Sequence, residues 1–228
     1  QRQMCIRDSV YIAQPPLYKA TKGKDERYVK DDGELDTYLM ELALRDARIY
    51  READAEPISG EDLEALGEDY LSVLSLTGRL SRKLLPELVD ALAELETLEG
   101  DALQDRAAVE KWCGDLASVL NEGRDTESAY DVIPDLGENG VYSIIVRAHN
   151  HGIEIERTLG AEFFRSAEYR NLKLRTASLE AGIGEGAHVE RGEKILQINK
   201  IRNGFEWLQD EARRGAAAKH VDHRRRVR

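Results

Sequence analysis

The sequence predicts an α+β fold in which several helices precede a β-hairpin and a mixed C-terminal part. Apolar residues recur at helical spacing over residues 31–120, as in amphipathic helices. Over residues 141–156, apolar and polar residues alternate around a His-Asn-His-Gly turn, which indicates a hairpin. A run of helices followed by strands and further helices is typical of α+β proteins.

The first part of the chain predicts two short strands and a helix. The β-branched and aromatic run Val10–Ala13 predicts a buried strand that ends before Pro15, and Tyr28-Val29 predicts a second strand. Asp31 and Glu34 have the spacing of a capping box, in which each side chain binds a free backbone N–H at a helix start. Leucines at helical spacing follow the box.

Three further helices are predicted between residues 57 and 120. Pro57 and Ser59 mark the start of the first, and Pro86 suits the first helical position of the second. Gly100 separates these helices from the stripe between Val109 and Leu120, which is the clearest amphipathic pattern in the chain.

The residues after the hairpin predict two helices, a loop and a strand. Ala161–Arg175 has a helical pattern, and the glycines of Gly182–Gly186 mark a loop. Lys194–Ile198 predicts a strand, and Asn199 can cap a last helix that ends at Gly215.

The composition limits the classes of function. The 228 residues carry a net charge of -11, which argues against autonomous binding of duplex DNA because affinity for DNA comes largely from neutralising phosphates. Cys5 and Cys113 are far apart, so they indicate neither a zinc site nor a disulfide framework, and we expect a reducing cytoplasm. No apolar run approaches the length of a membrane span.

Two groups of residues have the chemistry of metal ligands. Magnesium prefers carboxylate oxygens, and an acidic group precedes and begins the first helix: Asp31, Asp32, Glu34 and Asp36. The capping box already explains two of these residues, so we favour a solvated helix start. His149 and His151 could share a metal, but no further ligand completes the site, and we favour an ordinary hairpin tip.

Three other features could bind or react with a ligand. The glycines of Gly182–Gly186 lack the Lys-Ser/Thr of a phosphate-binding loop, so we favour a flexible loop. Cys113 lies on an apolar stripe and is expected to be a small buried side chain. The basic stretch with Lys19, Lys22 and Lys24 could contact phosphates, and the alternative is a solvated loop of mixed charge.

Two segments carry a family resemblance: Val10-Tyr11-Ile12-Ala13-Gln14-Pro15-Pro16-Leu17-Tyr18-Lys19 near the start and Phe205-Glu206-Trp207-Leu208 near the end. Both resemble bacterial gyrase B subunits and their topoisomerase IV relatives. In that family the first segment lies late in the TOPRIM fold, and the second lies in the helix that re-enters it. The long separation of the two segments resembles the gyrase B subunits that carry an insertion.

The resemblance implies a division of the chain. Residues 10–48 are expected to be a partial TOPRIM element, 49–198 a helix-rich inserted domain with a β-hairpin, and 199–215 the TOPRIM return helix. The leader 1–9 and the tail 216–228 do not match, and we expect both to result from truncation or a frame error. The basic tail is therefore not interpreted as a nucleic-acid arm.

The function implied by the resemblance belongs to a larger enzyme. The family is an ATP-dependent type II topoisomerase that negatively supercoils DNA, uses Mg2+ and ATP, and assembles with the gyrase A subunit as A2B2. The family's acidic EGDSAGG and DADVDG motifs do not occur here. We therefore expect no catalytic, cofactor-binding or metal-binding residue in this chain, and name Lys19, Lys22 and Lys24 as the candidate DNA contacts.

Two alternatives stay open. One is a topoisomerase IV B subunit, which the long insertion disfavours, and the other is a non-enzymatic protein-interaction module. For the inserted domain itself, an acidic, helix-rich composition with a hairpin predicts a scaffold beside the DNA gate rather than a part that grips DNA.

Overall fold

The computed structural model describes residues 18–22, 25–98, 100–125, 128–150, 152–215 and 217–220, and it has the predicted α+β character. Helices and three small antiparallel sheets share the described part of the chain. The predicted strand at Val10–Ala13, the Pro15 turn and His151 lie outside the described residues.

The first half contains two strands, then helices with one strand between them. The elements in order are β1 (Tyr18–Lys22), β2 (Asp25–Val29), α1 (Asp32–Ala43), β3 (Ala47–Tyr50), α2 (Glu61–Leu80), α3 (Pro86–Glu94), a 3-10 helix (Gly100–Gln104) and α4 (Arg106–Asn121). The second predicted strand and the helices predicted between residues 31 and 120 are confirmed. Pro86 occupies the start of α3, where a missing N–H has no effect on helical hydrogen bonding.

The second half is mixed. Its elements are β4 (Tyr130–Leu136), β5 (Tyr142–Asn150), β6 (Ile153–Leu159), α5 (Ala161–Arg165), α6 (Ala167–Glu180), β7 (His188–Arg191), β8 (Lys194–Gln197), α7 (Ile201–Gly215) and β9 (Ala217–His220). The β5–β6 hairpin and the β8 strand are confirmed. Among the described helices, none combines the length and apolar character needed to cross a membrane.

The strands form three sheets with the orders β2-β1-β9, β3-β7-β8 and β4-β5-β6. The sequence patterns did not predict β1, β3, β4, β7 or β9. Three of these strands are only four residues long, and β4 contains Pro134, which an edge strand tolerates because its outer N–H positions need no partner. The β3–β7 pairing brings Tyr50 opposite His188. The two ends of the segment between these residues therefore lie side by side.

Two local predictions were wrong. The helix predicted over Ala161–Arg175 is two helices, because Ser166 has extended backbone angles and its side chain accepts a hydrogen bond from the N–H of Tyr169. Asn199 does not cap α7, since its side-chain oxygen accepts from the Asn203 amide. The first N–H groups of α7 instead donate to Glu180.

Two hydrophobic cores share helices α3 and α6. The first core lies among α1, α2, α6, α7 and β3, and Tyr70 stacks on Phe205 within it, with ring centroids 5.0 Å apart. The second core lies between α4, α5 and the β4-β5-β6 sheet. Helix α3 gives Val89 to the first core and Leu88 to the second, because adjacent helical positions point to different sides.

Candidate functional site

The candidate DNA contacts lie on the β1–β2 hairpin, where acidic side chains accompany them. Lys19 Nζ lies 2.8 Å from Glu26 Oε1, and the hydrogen bond to Glu26 raises the pKa of the lysine. The two side chains are 34% and 53% exposed, so water screens the pair and it could open to admit a phosphate. Lys19 is therefore a candidate DNA contact whose positive charge is paired with Glu26.

For the other two candidate lysines, the structure describes only the backbone position of Lys22. Lys22 ends β1, where its Cα pairs with that of Asp25, and Lys24 lies outside the described residues. Arg27 on β2 contributes a further cation, but its Nη1 donates to Glu41 Oε2 at 2.9 Å. The hairpin thus carries alternating charges, and the contact of its three lysines with DNA stays a prediction.

The acidic group near α1 organises the helix start. Asp31 accepts from the Glu34 N–H at 2.8 Å, and Glu34 accepts from the Lys30 N–H at 2.7 Å. In a standard capping box the second bond would come from the N–H of the N-cap residue, whereas here it comes from the residue before it, Lys30. Both hydrogen bonds still stabilise the N-terminal end of α1. Asp36 turns toward Arg213, 3.6 Å away, and burial outweighs that arginine and raises the pKa of the aspartate.

These groups do not fit a magnesium site. No set of three or more His, Cys, Asp or Glu side chains within the described ranges is arranged to hold a metal ion. His149 lies on the exposed face of the β4-β5-β6 sheet, 3.0 Å from an oxygen of Asp131 and 3.7 Å from one of Glu154. Cross-strand polar pairing of this kind stabilises a sheet face without any metal.

The glycine-rich loop packs on the protein rather than on a ligand. The Gly184 N–H donates to the Arg51 carbonyl at 2.8 Å, and the Glu185 carbonyl accepts from the Ala53 N–H at 3.1 Å. A Cβ on Gly186 would lie 2.7 Å from that of Ala53, and the φ of Gly186 is +77°. The glycines therefore allow a close backbone approach between this loop and the segment after β3.

Cys113 has the environment of a structural side chain. It lies in the second core beside Trp112, is 3% exposed, and burial raises the pKa of its thiol to about 11. A thiol with so high a pKa is almost entirely protonated near neutral pH and is a poor nucleophile.

The polar junction of α3, α6 and α7 was not predicted from the sequence. Glu180, at the end of α6, accepts from the N–H groups of Ile201 and Arg202 at 2.6 and 3.0 Å. Arg202 in turn donates to Asp90 and Glu94 on α3, at 3.3 and 3.0 Å. Helices distant in sequence are thereby joined through charged hydrogen bonds, and no local pattern could reveal such long-range pairs.

Lys173 adds a second link between α6 and α3. Its Nζ donates to the carbonyl of Ala93 at 3.0 Å and also to that of Leu95, so it satisfies free carbonyls at the C-terminal end of α3. Burial lowers the pKa of this lysine, while Glu94 and Glu96 oppose that effect. The side chains of α3, α6 and α7 that the structure describes here therefore form a structural junction.

Comparison with known proteins places this two-core α+β domain among topoisomerase insertions. The family model described as "DNA gyrase B subunit insert domain" matches residues 47–212, and the model described as "GyrB, hook" matches residues 16–44. The first match alone covers more than half of the chain. The chain therefore belongs to the family of DNA gyrase B subunits.

Individual relatives agree with the family models. The DNA gyrase B subunit of Caulobacter vibrioides (strain NA1000 / CB15N) is 29% identical over 213 residues, which are 93% of this chain and 25% of that relative. The type 2 topoisomerase B subunit of Aquifex aeolicus is 32% identical over 212 residues, 90% of this chain and 24% of that relative. The DNA gyrase B subunit of Chlamydia pneumoniae is 39% identical over 79 residues, 35% of this chain and 10% of that relative. The chain spans about a quarter of the length of the first of these relatives.

The domain boundaries stay predictions. The insert match begins at residue 47 and continues through residue 212, so it includes both sides of the boundary predicted at residue 198. Helix α7 also contributes Phe205 and Leu208 to the first core together with residues from α2. The assignment of 199–215 as a separate return helix is therefore not tested by these matches.

Proposed function

We propose that this chain is the part of a gyrase B subunit that holds the insertion beside the DNA gate. The intact enzyme would hydrolyse ATP, use magnesium, act with a gyrase A subunit in the bacterial cytoplasm and negatively supercoil DNA. The observation that carries the proposal is the pair of adjoining family matches at 16–44 and 47–212.

The chain alone is expected to have no activity on DNA. The described residues provide no metal site, and the glycine loop that could have held a phosphate is occupied by the protein's own backbone. Purified chain incubated with supercoiled and relaxed plasmid, magnesium and ATP should change the topology of neither plasmid. Any relaxation or ATP hydrolysis above that of a mock purification would contradict this expectation.

The role proposed for the insertion is to scaffold the gate and limit the path of DNA. Its support is the acidic charge of the chain, together with two cores joined by shared helices and charged hydrogen bonds. A body of this charge repels phosphates except at local basic sites. A gate-adjacent part with these properties restricts where a duplex can lie.

The β3–β7 pairing suggests how the insertion can be removed from an intact enzyme. Tyr50 and His188 are Cα partners in an antiparallel pair, so an Asn-Gly turn can join them once residues 51–187 are deleted. We expect the deletion to alter DNA binding or supercoiling, while gel filtration checks assembly with the gyrase A subunit. Unchanged supercoiling by an assembled deletion enzyme would contradict the scaffold role.

Contact of the hairpin lysines with DNA can be tested through the Lys19–Glu26 pair. If Lys19 touches a phosphate in the intact enzyme, Glu26→Gln should free it and tighten DNA binding, whereas Lys19→Gln should weaken it. Glu41→Gln, which removes the partner of Arg27, is the matched control. Equal affinity of the Lys19→Gln variant and the unmodified enzyme for DNA at low salt would exclude Lys19 as a contact.

A further inference from the structure

Exposed arginines without partners are concentrated beside α6. Within the described ranges, five exposed arginines have no hydrogen-bond or ion-pair partner for the side chain: Arg45, Arg79, Arg82, Arg165 and Arg170. All except Arg45 line cavities along α6. Four unpaired arginines along one helix form a local basic surface in a chain of net charge -11, and such a surface attracts an external anion.

Three cavities that share lining residues lie along α6, and together we call them the α6 groove. The first, of about 750 Å³, is lined by Arg79 and Arg82 and reaches Asn171. Asn171 also lines the second, of about 580 Å³, which shares Arg170 and Thr97 with a third of about 220 Å³. The groove therefore runs past the end of α2 and along the exposed face of α6.

The α6 groove also has apolar walls. Leu174 is 70% exposed, the largest fraction among the exposed large apolar side chains that the structure describes, and it lies one helical turn after Arg170. Leu71 and Leu74 line the first cavity, and Phe164 lines the third. A ligand that fills the groove would contact leucines and arginines together.

This combination favours an acidic peptide over a nucleic acid. A phosphate backbone gains little from exposed leucine, whereas a helix laid in a groove uses apolar anchors at spacings of three and four residues. Asp32 and Asp36 line one end of the first cavity, where they would repel phosphates along a rigid duplex. A peptide can place acidic residues against the arginines and neutral or basic ones at that end.

We propose that the α6 groove binds an acidic, leucine-bearing helix of a partner protein. Acidic side chains of that helix pair with Arg79, Arg82 and Arg170, and its leucines pack on Leu174. Arg175 also lines the groove, but its Nη1 lies 2.8 Å from Asp69 Oδ1. This ion pair makes Arg175 part of the groove wall rather than a contact for the peptide. The proposal concerns binding by this chain itself and does not depend on gyrase activity.

Fluorescence anisotropy with a defined probe tests the proposal. The probe is a labelled peptide of about 18 residues with leucines on one helical face and glutamates flanking them, titrated with purified chain at low salt. We expect saturable binding that weakens about tenfold in Arg79→Glu/Arg82→Glu and in Arg170→Glu, because each change replaces attraction by repulsion. Arg45→Glu, which reverses an unpaired arginine outside the groove, should bind as the unmodified chain does.

Two further arms make the test decisive. A peptide with glutamine in place of each glutamate should bind at least about tenfold more weakly, and Leu174→Ser should weaken binding of the acidic peptide. Far-UV circular dichroism confirms that each variant is folded. The proposal is overturned if the acidic peptide does not bind, if the groove variants bind it as tightly as Arg45→Glu does, or if a short DNA duplex binds the same arginines more tightly.

Discussion

Removal of the Glu180 carboxylate should measure how strongly α6 and α7 are joined. Glu180→Ala leaves the N–H groups of Ile201 and Arg202 without their side-chain acceptor at the start of α7. No side chain of α7's own leading segment is placed to replace it, since Asn199 is hydrogen-bonded to Asn203. The substitution thus acts on the helix start and on the contact between two helices together.

The expected loss of stability follows from the two parts of this interaction. Removing a side-chain cap costs about 1 kcal/mol, and removing a negative charge from a helix N-terminus costs about 0.3–1 kcal/mol more. The sum is about 1.3–2 kcal/mol, which in a chain of this size lowers Tm by about 3–8 °C. Glu180→Gln keeps one acceptor oxygen and should lose about half as much.

Thermal melts followed by far-UV circular dichroism provide the assay. Glu185→Gln is the matched control, because that side chain is exposed in the nearby glycine loop. Hydrogen exchange should also show faster exchange at Ile201 and Arg202 in the alanine variant, since their N–H groups then face water. A Glu180→Ala melt that coincides with the control melt would refute the capping role.

Three other outcomes follow from the geometry. Gly186→Ala should destabilise the chain by about 1–3 kcal/mol, because it adds a clash with Ala53 to backbone strain; Gly140→Ala, with φ +74° and open space, should cost less in the same urea titration. Asp36→Asn should raise Tm at neutral pH. The pKa of Asp36 is higher in the folded chain than in the unfolded chain, so the unfolded chain loses this proton first as the pH rises. The stability of the unmodified chain therefore falls as the pH rises through the folded pKa of Asp36. That difference should disappear below the ordinary value of 3.8, and a constant difference in melts from about pH 3 to 7 would contradict it. Cys113 should resist iodoacetamide at about pH 8 in peptide mapping and react once urea unfolds the chain, because burial raises its pKa to about 11; fast labelling in the folded chain would refute this.

Local patterns predicted the elements that local chemistry determines. The Asp31–Glu34 spacing located α1, Pro86 located α3, and the stripe from Val109 to Leu120 located α4. The four-residue strands β3 and β7 were missed because each is too short to show an alternating pattern. Their pairing depends on residues that are 140 positions apart, such as Tyr50 and Glu190, whose side chains are hydrogen-bonded.

The site features divide in the same way. Burial of Cys113 agrees with its interpretation from sequence. Tertiary packing, which a local pattern does not reveal, produces three other features: the close packing of the glycine loop on the segment after β3, the Glu180 cap and the α6 groove. Arg170 and Leu174 are four residues apart, which places them on one helical face. The part of the groove that α6 itself forms could therefore have been predicted from the sequence. Arg79 and Arg82 come from a different helix and the turn after it, and only tertiary packing brings them alongside.

The sharing of α3 and α6 by both cores has a mechanical consequence. Leu172 belongs to one core and Tyr169, less than one turn earlier, to the other, so α6 cannot rotate or tilt without disturbing packing on both sides. The two halves should consequently lose their order in one cooperative transition. A change in the packing of the β4-β5-β6 sheet should therefore reach the first core through α3 and α6.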